Sequence, residues 1–328
     1  MRGRPAQRQQ GYVLIMVLGA LVLIALVAAR FAQRIDELRS QTASLQAHAQ
    51  QRLAMGNAMS AALYLITTQA LGPGGVGSPT GEPLLFADSR LYRLPDGGEV
   101  ELQDDRGLLP LNAVDRAQLR RVLASLGVST AEVDAWIDVM QDYQDTDSLK
   151  RLSGAEAPDY AALGLPAPRN DWLVSLRELN RLPIWKDRPS VVEAIERIGS
   201  TSRFLVYNPN TASIELLGML LPTATPEQLE LFDTLRRRTP FASGASAQRA
   251  TGLSMEREDF VFHMGRQLRL TVSATGAPSA LQYNLTLVPG GSEAPWLISE
   301  AHPVVHRTRD TPDRATPFPL ADPKAAKP

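Results

Sequence analysis

Residues 11 to 29 read GYVLIMVLGALVLIALVAA, an unbroken run without a charge, a Pro or a strongly polar side chain. About 20 apolar residues are needed to cross ~30 Å of hydrocarbon. Inside lipid, only a helix satisfies its own backbone donors and acceptors. Arg2, Arg4 and Arg8 precede the run with no acid among them, which holds the first ten residues in the cytoplasm and sends the rest of the chain across. A removable secretory signal is the competing reading. Its apolar region would be ~7–15 residues long and end in a small-x-small site. This run is longer, and Ala28-Ala29 leads into Arg30-Phe31, so it reads as a retained anchor.

Helix-forming residues continue past the anchor. From Arg30 to about Ala70 there is no Pro, and only Gly56 interrupts them. Leu38, Leu45, Ala49, Leu53, Met59, Leu63 and Ile66 keep a helical spacing, which predicts an amphipathic surface needing a partner, most simply a sheet of the same chain. Gly72-Pro73-Gly74-Gly75 ends the helix. Strand-like runs at Arg90–Leu94 and Glu99–Gln103 flank the turn Pro95-Asp96-Gly97-Gly98. From Asn112 to about residue 200 the pattern is helical. Asp115–Leu126 forms one helix, Thr130 is expected to cap a second, and Leu173–Leu182 and Val191–Ile198 are shorter. Thr211–Leu221 and Pro226–Arg238 complete the helical set. Strands return at Arg266–Ala274 and Gln282–Val288, and residues 303–328, rich in Pro, Asp, Arg and Ala, read as disordered. A helical block between strands of one sheet is an insertion into an α+β domain.

The 328 residues suit an anchor plus one or two domains, and a hydrophobic content of 44% supports a core. Formal net charge is -1, so no global field draws nucleic acid. The absence of Cys excludes disulfides, thiolate metal sites and Cys nucleophiles. His48, His263, His302 and His306 are too scattered for a zinc site, and no phosphate-binding loop or Ser-centred hydrolase elbow is present.

The concentrated polar feature is Asp138, Asp142, Asp145, Asp147, Glu156 and Asp159, at a helix end and in the loop after it. Such carboxylates repel one another unless they are solvated or neutralised. Hard oxygen ligands at irregular spacing suit Ca²⁺, which accepts 6–8 of them in flexible geometry. The spacing is not that of an EF-hand, since Asp147 or Lys150 falls where its Gly would be. A solvated acidic loop and acid/base catalysis by an Asp pair are the other readings. Leu111-Asn112-Ala113 and Asn208-Pro209-Asn210-Thr211-Ala212 each place Asn ahead of a helix, which predicts N-capping. Similar starts open DNA-binding helix-hairpin-helix units, but the apolar stretch Leu216–Leu221 and the exported location argue against that.

Together these pieces resemble protein K of the general secretion pathway, a type II secretion minor pseudopilin family, from about residue 9 to residue 300. Gln10-Gly11-Tyr12-Val13-Leu14-Ile15 is similar to a prepilin peptidase site, cut between Gly11 and Tyr12. Met16 stands where major pseudopilins carry Glu, a departure expected of a subunit at the filament tip. Asp142-Tyr143-Gln144-Asp145-Thr146-Asp147, Gly154-Ala155-Glu156, Asp159-Tyr160, Arg169–Leu179 and Asn208–Ser213 follow in the family's order. Asp171 and Trp172 replace its Gly-Pro, which bears on the local turn.

The resemblance implies a pilin-like fold, a long N-terminal helix on a small antiparallel sheet, with a large inserted all-α domain. The expected layout is a leader (1–11), a membrane-spanning segment (12–29), the rest of the helix (30–71), sheet (80–110), helical domain (111–258), sheet (259–302) and disordered tail (303–328). It implies a non-enzymatic assembly protein of the inner membrane, single-pass with its bulk periplasmic. Prepilin peptidase would process it, Tyr12 would become a methylated N-terminus, and Met16 would make filament contacts beside other minor pseudopilins. It also implies structural Ca²⁺, with Asp142, Asp145, Asp147, Glu156 and Asp159 as the candidate ligands. A minor pilin of a type IV pilus and a membrane-tethered periplasmic enzyme using the acidic cluster are the rival readings.

Overall fold

In a computed structural model, which describes residues 10–79, 82–255, 257–305 and 315–319, the apolar run lies in one continuous helix, α1 (Gln10–Thr68). The chain divides into two units, 1–53 and 54–328. The described part of the first is helix alone. Its large apolar side chains from Tyr12 to Val27 are exposed, and an 18-residue window has a mean hydropathy of 2.9, enough in length and composition to cross a membrane.

The second unit begins with the end of α1. Beyond it, β1 (Gly75–Val76) and β2 (Leu85–Phe86) pair antiparallel. β3 (Asp88–Arg93) and β4 (Gly98–Asp104) form the expected hairpin. β5 (Leu109–Pro110) then leads into the helical block: α2 (Arg116–Ser125), α3 (Val133–Gln144), α4 (Ala157–Ala162) and α5 (Pro189–Ile198). Inside the block β6 (Gly199–Ser200) pairs in parallel with β5. α6 (Ile214–Leu220), α7 (Pro226–Arg236) and α8 (Gly244–Thr251) complete it. β7 (Gln267–Ala274), β8 (Ser279–Leu287), β9 (Trp296–Val305) and β10 (Thr316–Pro317) follow. The six-stranded sheet has the order β10-β3-β4-β7-β8-β9 and is antiparallel except for the β10–β3 pair. The fold is α+β, a long helix and an antiparallel-rich sheet with additional helices, as the resemblance implies.

The helical block is an insertion in the topological sense. β4 and β7 flank it in sequence yet are hydrogen-bonded neighbours, in register from Gly98↔Ala274 to Asp104↔Leu268. Their alternation buries Val100 and Leu102 with Leu268, Leu270 and Val272 against Ala58, Ala62, Leu65 and Ile66 of α1. Each such Val or Leu contributes roughly 1.5–3 kcal/mol when fully buried. The packed face of α1 differs from the expected stripe. Leu63 and Ile66 are buried as expected, but Leu38, Leu45 and Leu53 are exposed, and small residues, Ala54, Ala58 and Ala62, share the packed face. Helix and sheet therefore approach closely at Gly98, where a Cβ would lie 2.5 Å from the Ala54 carbonyl oxygen and 3.1 Å from the Ala58 Cβ.

The block has its own core, with Trp136 and Trp185 fully buried, ring centres 4.9 Å apart and the Trp185 indole N–H bonded to the Trp136 carbonyl. Asp104, at the end of β4, latches this core to the sheet. It is completely buried and accepts from the Arg106 and Gly265 backbone N–H groups, from Asn208 Nδ2 at 3.0 Å and from Thr211 Oγ1. Arg269 of β7 makes a second tie, donating to the Glu196, Arg197 and Gly199 carbonyls at the end of α5.

Several local expectations need correction. α3 starts at Val133 with Glu132 at its cap, not at Thr130. Leu173–Leu182 is a 3₁₀ turn over Leu176–Arg181, held by a Ser175–Glu178 capping box. Asn112 and Asn208 do not cap helices, since Asp115 and Ser213 do that. Asn112 instead bridges Leu173, Thr201 and Gln144, and Asn208 joins Pro73 to Asp104. The sheet resumes at Gln267, because Tyr207 and Phe260 still pair within the block. The tail is not wholly without structure. Residues 303–305 finish β9, which places His302 in a strand, and β10 pairs with Tyr92–Arg93. There Phe318 is buried edge-on against Tyr92, so one aromatic in a polar, Pro-rich segment suffices to dock it. His306 lies outside the described residues.

Candidate metal centre

α3 ends among carboxylates. Asp138 and Asp142 face inward one turn apart, Asp145 is the C-cap, and no basic residue occupies the last turn. The partial negative charge of a helix C-terminus makes this a poor place for acids unless a cation offsets it. The loop after Asp145 turns back so that Glu156, the N-cap of α4, meets the end of α3. Asp145, Asp147 and Glu156 each direct a carboxylate oxygen into one space, all within 4.8 Å of one another.

The loop is pinned from below. Asn170, held at a positive φ of 50°, donates from its backbone to the Tyr143 carbonyl and from Nδ2 to the Asp147 carbonyl at 2.9 Å. Asp147 Oδ1 accepts from the Leu149 N–H at 2.8 Å, closing an Asx-type turn. Tyr143 and Tyr160 lie beneath, with ring centres 6.3 Å apart. The Tyr143 hydroxyl donates to Glu178, whereas the Tyr160 hydroxyl is buried without a partner.

Within the cluster the carboxylates divide into satisfied and unsatisfied. Asp138 receives Arg116 at 2.7 Å and the Ser153 N–H. Asp159 receives Lys150 Nζ at 2.7 Å and the Glu156 N–H at 2.9 Å, and these bonds, Lys150 foremost, hold its carboxyl below the ordinary range. Asp142, fully buried, receives the Arg151 N–H and Arg151 Nη1, the latter at 2.6 Å. Gly154 packs on the same carboxylate so closely that a Cβ there would overlap its Oδ2. Arg151 Nη1 also bonds Asp145 Oδ2. Left over are Asp145 Oδ1 and both oxygens of Glu156, all buried and without a hydrogen-bond donor. Glu156 is only 5% exposed. Burial, and next the charges of Asp142, Asp145 and Asp147, push its carboxyl above the ordinary range.

A buried carboxylate with no donor costs roughly 1–3 kcal/mol or more. Three converging carboxylates, two of them with buried oxygens that lack donors, are the arrangement a hard cation relieves, and an all-oxygen anionic set suits Ca²⁺. Of the five residues expected as ligands, the structure brings Asp145, Asp147 and Glu156 together. Asp142 adjoins them but is engaged by Arg151, and Asp159 is turned to Lys150 and its own helix start. Sequence reasoning passed over Arg151 and Tyr160. The signal for Arg151 was a lone guanidinium among acids, and Tyr160 carried none, because only folding buries its hydroxyl. Gly11 and Tyr12 lie in the first turns of α1, and the Met16 side chain is exposed on it.

Residues 100–197, which contain this centre, match the family model for type II secretion system (T2SS), protein K. No curated protein matches the chain. Among solved structures, the chain is similar to a chain of the GspK-GspI-GspJ complex from the enterotoxigenic Escherichia coli Type 2 Secretion System, with a TM-score of 0.52 and 15% identity. That likeness covers 82% of this chain and 99% of the other, and at such identity it bears on the fold. A membrane-length apolar helix, this α+β fold and the match over the acidic loop converge on a likeness to type II secretion system protein K, shown by the family model for residues 100–197.

Proposed function

We propose that the protein caps the tip of a periplasmic pseudopilus and supports protein export across the outer membrane. In this reading it waits in the inner membrane as a single-pass protein with its N-terminus cytoplasmic. Prepilin peptidase cuts between Gly11 and Tyr12, and the mature helix then packs with other minor pseudopilins. The similar E. coli chain belongs to a GspK-GspI-GspJ complex, which supports that choice of partners.

The observation that carries the reading is the insertion of the helical block between the paired strands β4 and β7. The block adds bulk to the domain without breaking the sheet, as a terminal subunit requires. Met16, standing where major pseudopilins carry Glu, agrees with an end position. Ca²⁺ is proposed as a structural ion held by Asp145, Asp147 and Glu156, with Asp142 beside them. It would supply positive charge to buried carboxylates that the fold otherwise leaves unneutralised.

The test is the mass of the mature N-terminus in a secreting cell, together with export by cells carrying a chain lacking residues 111–258. A start at Tyr12 and loss of export with the helix still inserted is the expected result. A start at Met1 or after Ala29 would overturn the pseudopilin processing, and undiminished export would overturn the capping role.

A further inference from the structure

Resting on the cation reading above, the geometry points to Arg151 as an internal counter-cation that a divalent ion displaces, so that binding is an exchange rather than a simple addition.

Asp142 and Asp145 share one guanidinium, that of Arg151, and Asp145 also converges with Asp147 and Glu156. Lys150 is occupied by Asp159 and Arg116 by Asp134 and Asp138, so neither is turned to this space. Arg151 reaches the site through a single nitrogen, Nη1, shared between Asp142 and Asp145. It takes one oxygen of Asp145 and leaves the other, Oδ1, buried and without a donor, as are both oxygens of Glu156. A divalent ion seated among Asp145, Asp147 and Glu156 would claim Asp145 and repel the guanidinium that holds it.

The side chain is able to leave. Arg151 is 37% exposed, so a rotation about its stem carries the charge to solvent. Asp142 is not abandoned when this happens, because the Arg151 backbone N–H lies 3.2 Å from its Oδ2 and stays in place. Main chain thus holds Asp142 permanently, while the side chain is a removable partner for Asp145. The arrangement keeps the end of α3 folded before the ion arrives, and it lowers the apparent affinity for the ion by the strength of the contact that must be broken.

The experiment uses the full chain in detergent, stripped with chelator, and calorimetric titration with Ca²⁺. Arg151→Gln removes the competitor, and its Ca²⁺ affinity is expected to be about tenfold tighter, equivalent to about 1.4 kcal/mol. An affinity equal to or weaker than that of the natural chain would overturn the exchange. The second measurement needs no substitution: phenylglyoxal modification of Arg151 in the natural chain, followed by peptide mass spectrometry. Displacement predicts several-fold faster modification of Arg151 with Ca²⁺ than without, and protection by Ca²⁺, or no change, contradicts it. If neither natural chain nor variant binds Ca²⁺ at millimolar concentration, the cation reading itself fails and the exchange with it. Equal binding by both leaves that reading intact and removes only the role of Arg151.

Discussion

Replacing Glu156 by Gln should stabilise the protein in chelator and destabilise it in Ca²⁺. The side chain is buried, both of its oxygens lack donors, and its carboxyl is raised above the ordinary range by burial and by Asp142, Asp145 and Asp147. Gln keeps the volume and removes the charge. Leaving a buried acceptor unsatisfied costs roughly 1–3 kcal/mol, more if it is charged, so relief of about 2 kcal/mol is expected without metal. For a unit of this size 1 kcal/mol moves Tm by about 2–4 °C, which makes the gain about 4–8 °C in EDTA. With Ca²⁺ at a hundred times its Kd the natural chain gains about 2.7 kcal/mol. The variant, short of one of three converging carboxylates, gains little of it. The order of stabilities therefore reverses between EDTA and CaCl₂. Scanning calorimetry of the two full chains under both conditions reads this directly. A Glu156→Gln protein that melts lower than the natural chain in both conditions, by the same margin, would refute the reasoning, because Glu156 would then be a structural residue indifferent to metal.

Three other outcomes follow from the fold. Burial pushes the Asp105 carboxyl up to about 6 from 3.8, against the opposing pull of Arg269. The folded state then holds a proton the unfolded state has lost, so stability falls as pH rises from about 4 to about 6, by up to about 3 kcal/mol. Asp105→Asn should flatten that slope in urea melts taken across the interval. Gly98→Ala sets a Cβ against the Ala54 carbonyl and the Ala58 methyl, and should cost about 1–3 kcal/mol in denaturant unfolding while Gly127→Ala, which meets no atom but has a φ of +85°, costs only its backbone strain of about 1 kcal/mol. Phe318→Ala removes the buried aromatic beside β10, should cost about 2–4 kcal/mol, and should raise hydrogen exchange at the Phe318 amide, which donates to the Arg93 carbonyl.

The hairpin, the return of the sheet and most helices of the block were legible because each carried a local signature. Pro95-Asp96-Gly97-Gly98 is a turn by backbone chemistry, and Leu119, Val122 and Leu123 mark by their spacing the helix face that the structure buries. What was hidden depends on distant partners. β9 carries Pro303 and leaves Leu297, Ile298 and Val305 exposed while Glu300 and His302 are half-buried, so it lacks an apolar-in alternation, and its signal is weak until β8 pairs with it. The packed face of α1 includes Ala54 and Ala58, which hydrophobic spacing undervalues and the close approach at Gly98 makes necessary. Asn112 and Asn208 looked like caps because capping is the local use of Asn, whereas their bonds reach 61 residues to Leu173 and 135 residues to Pro73. In the metal centre the acids could be counted from sequence. Which of them keep free oxygens could not, since that is decided by where Arg151, Lys150 and Arg116 turn.

The adjacency of β4 and β7 also governs how the molecule carries force. The chain leaves the sheet at Asp104 and re-enters within a strand spacing of it, opposite Leu268. A push or pull delivered along α1 reaches the sheet through the Ala54–Ile66 face and crosses from β4 to β7 by their hydrogen bonds. It has no need to travel through the helical block, which hangs from the sheet like a weight beside a beam. Axial load and the block's own stability are thereby separated.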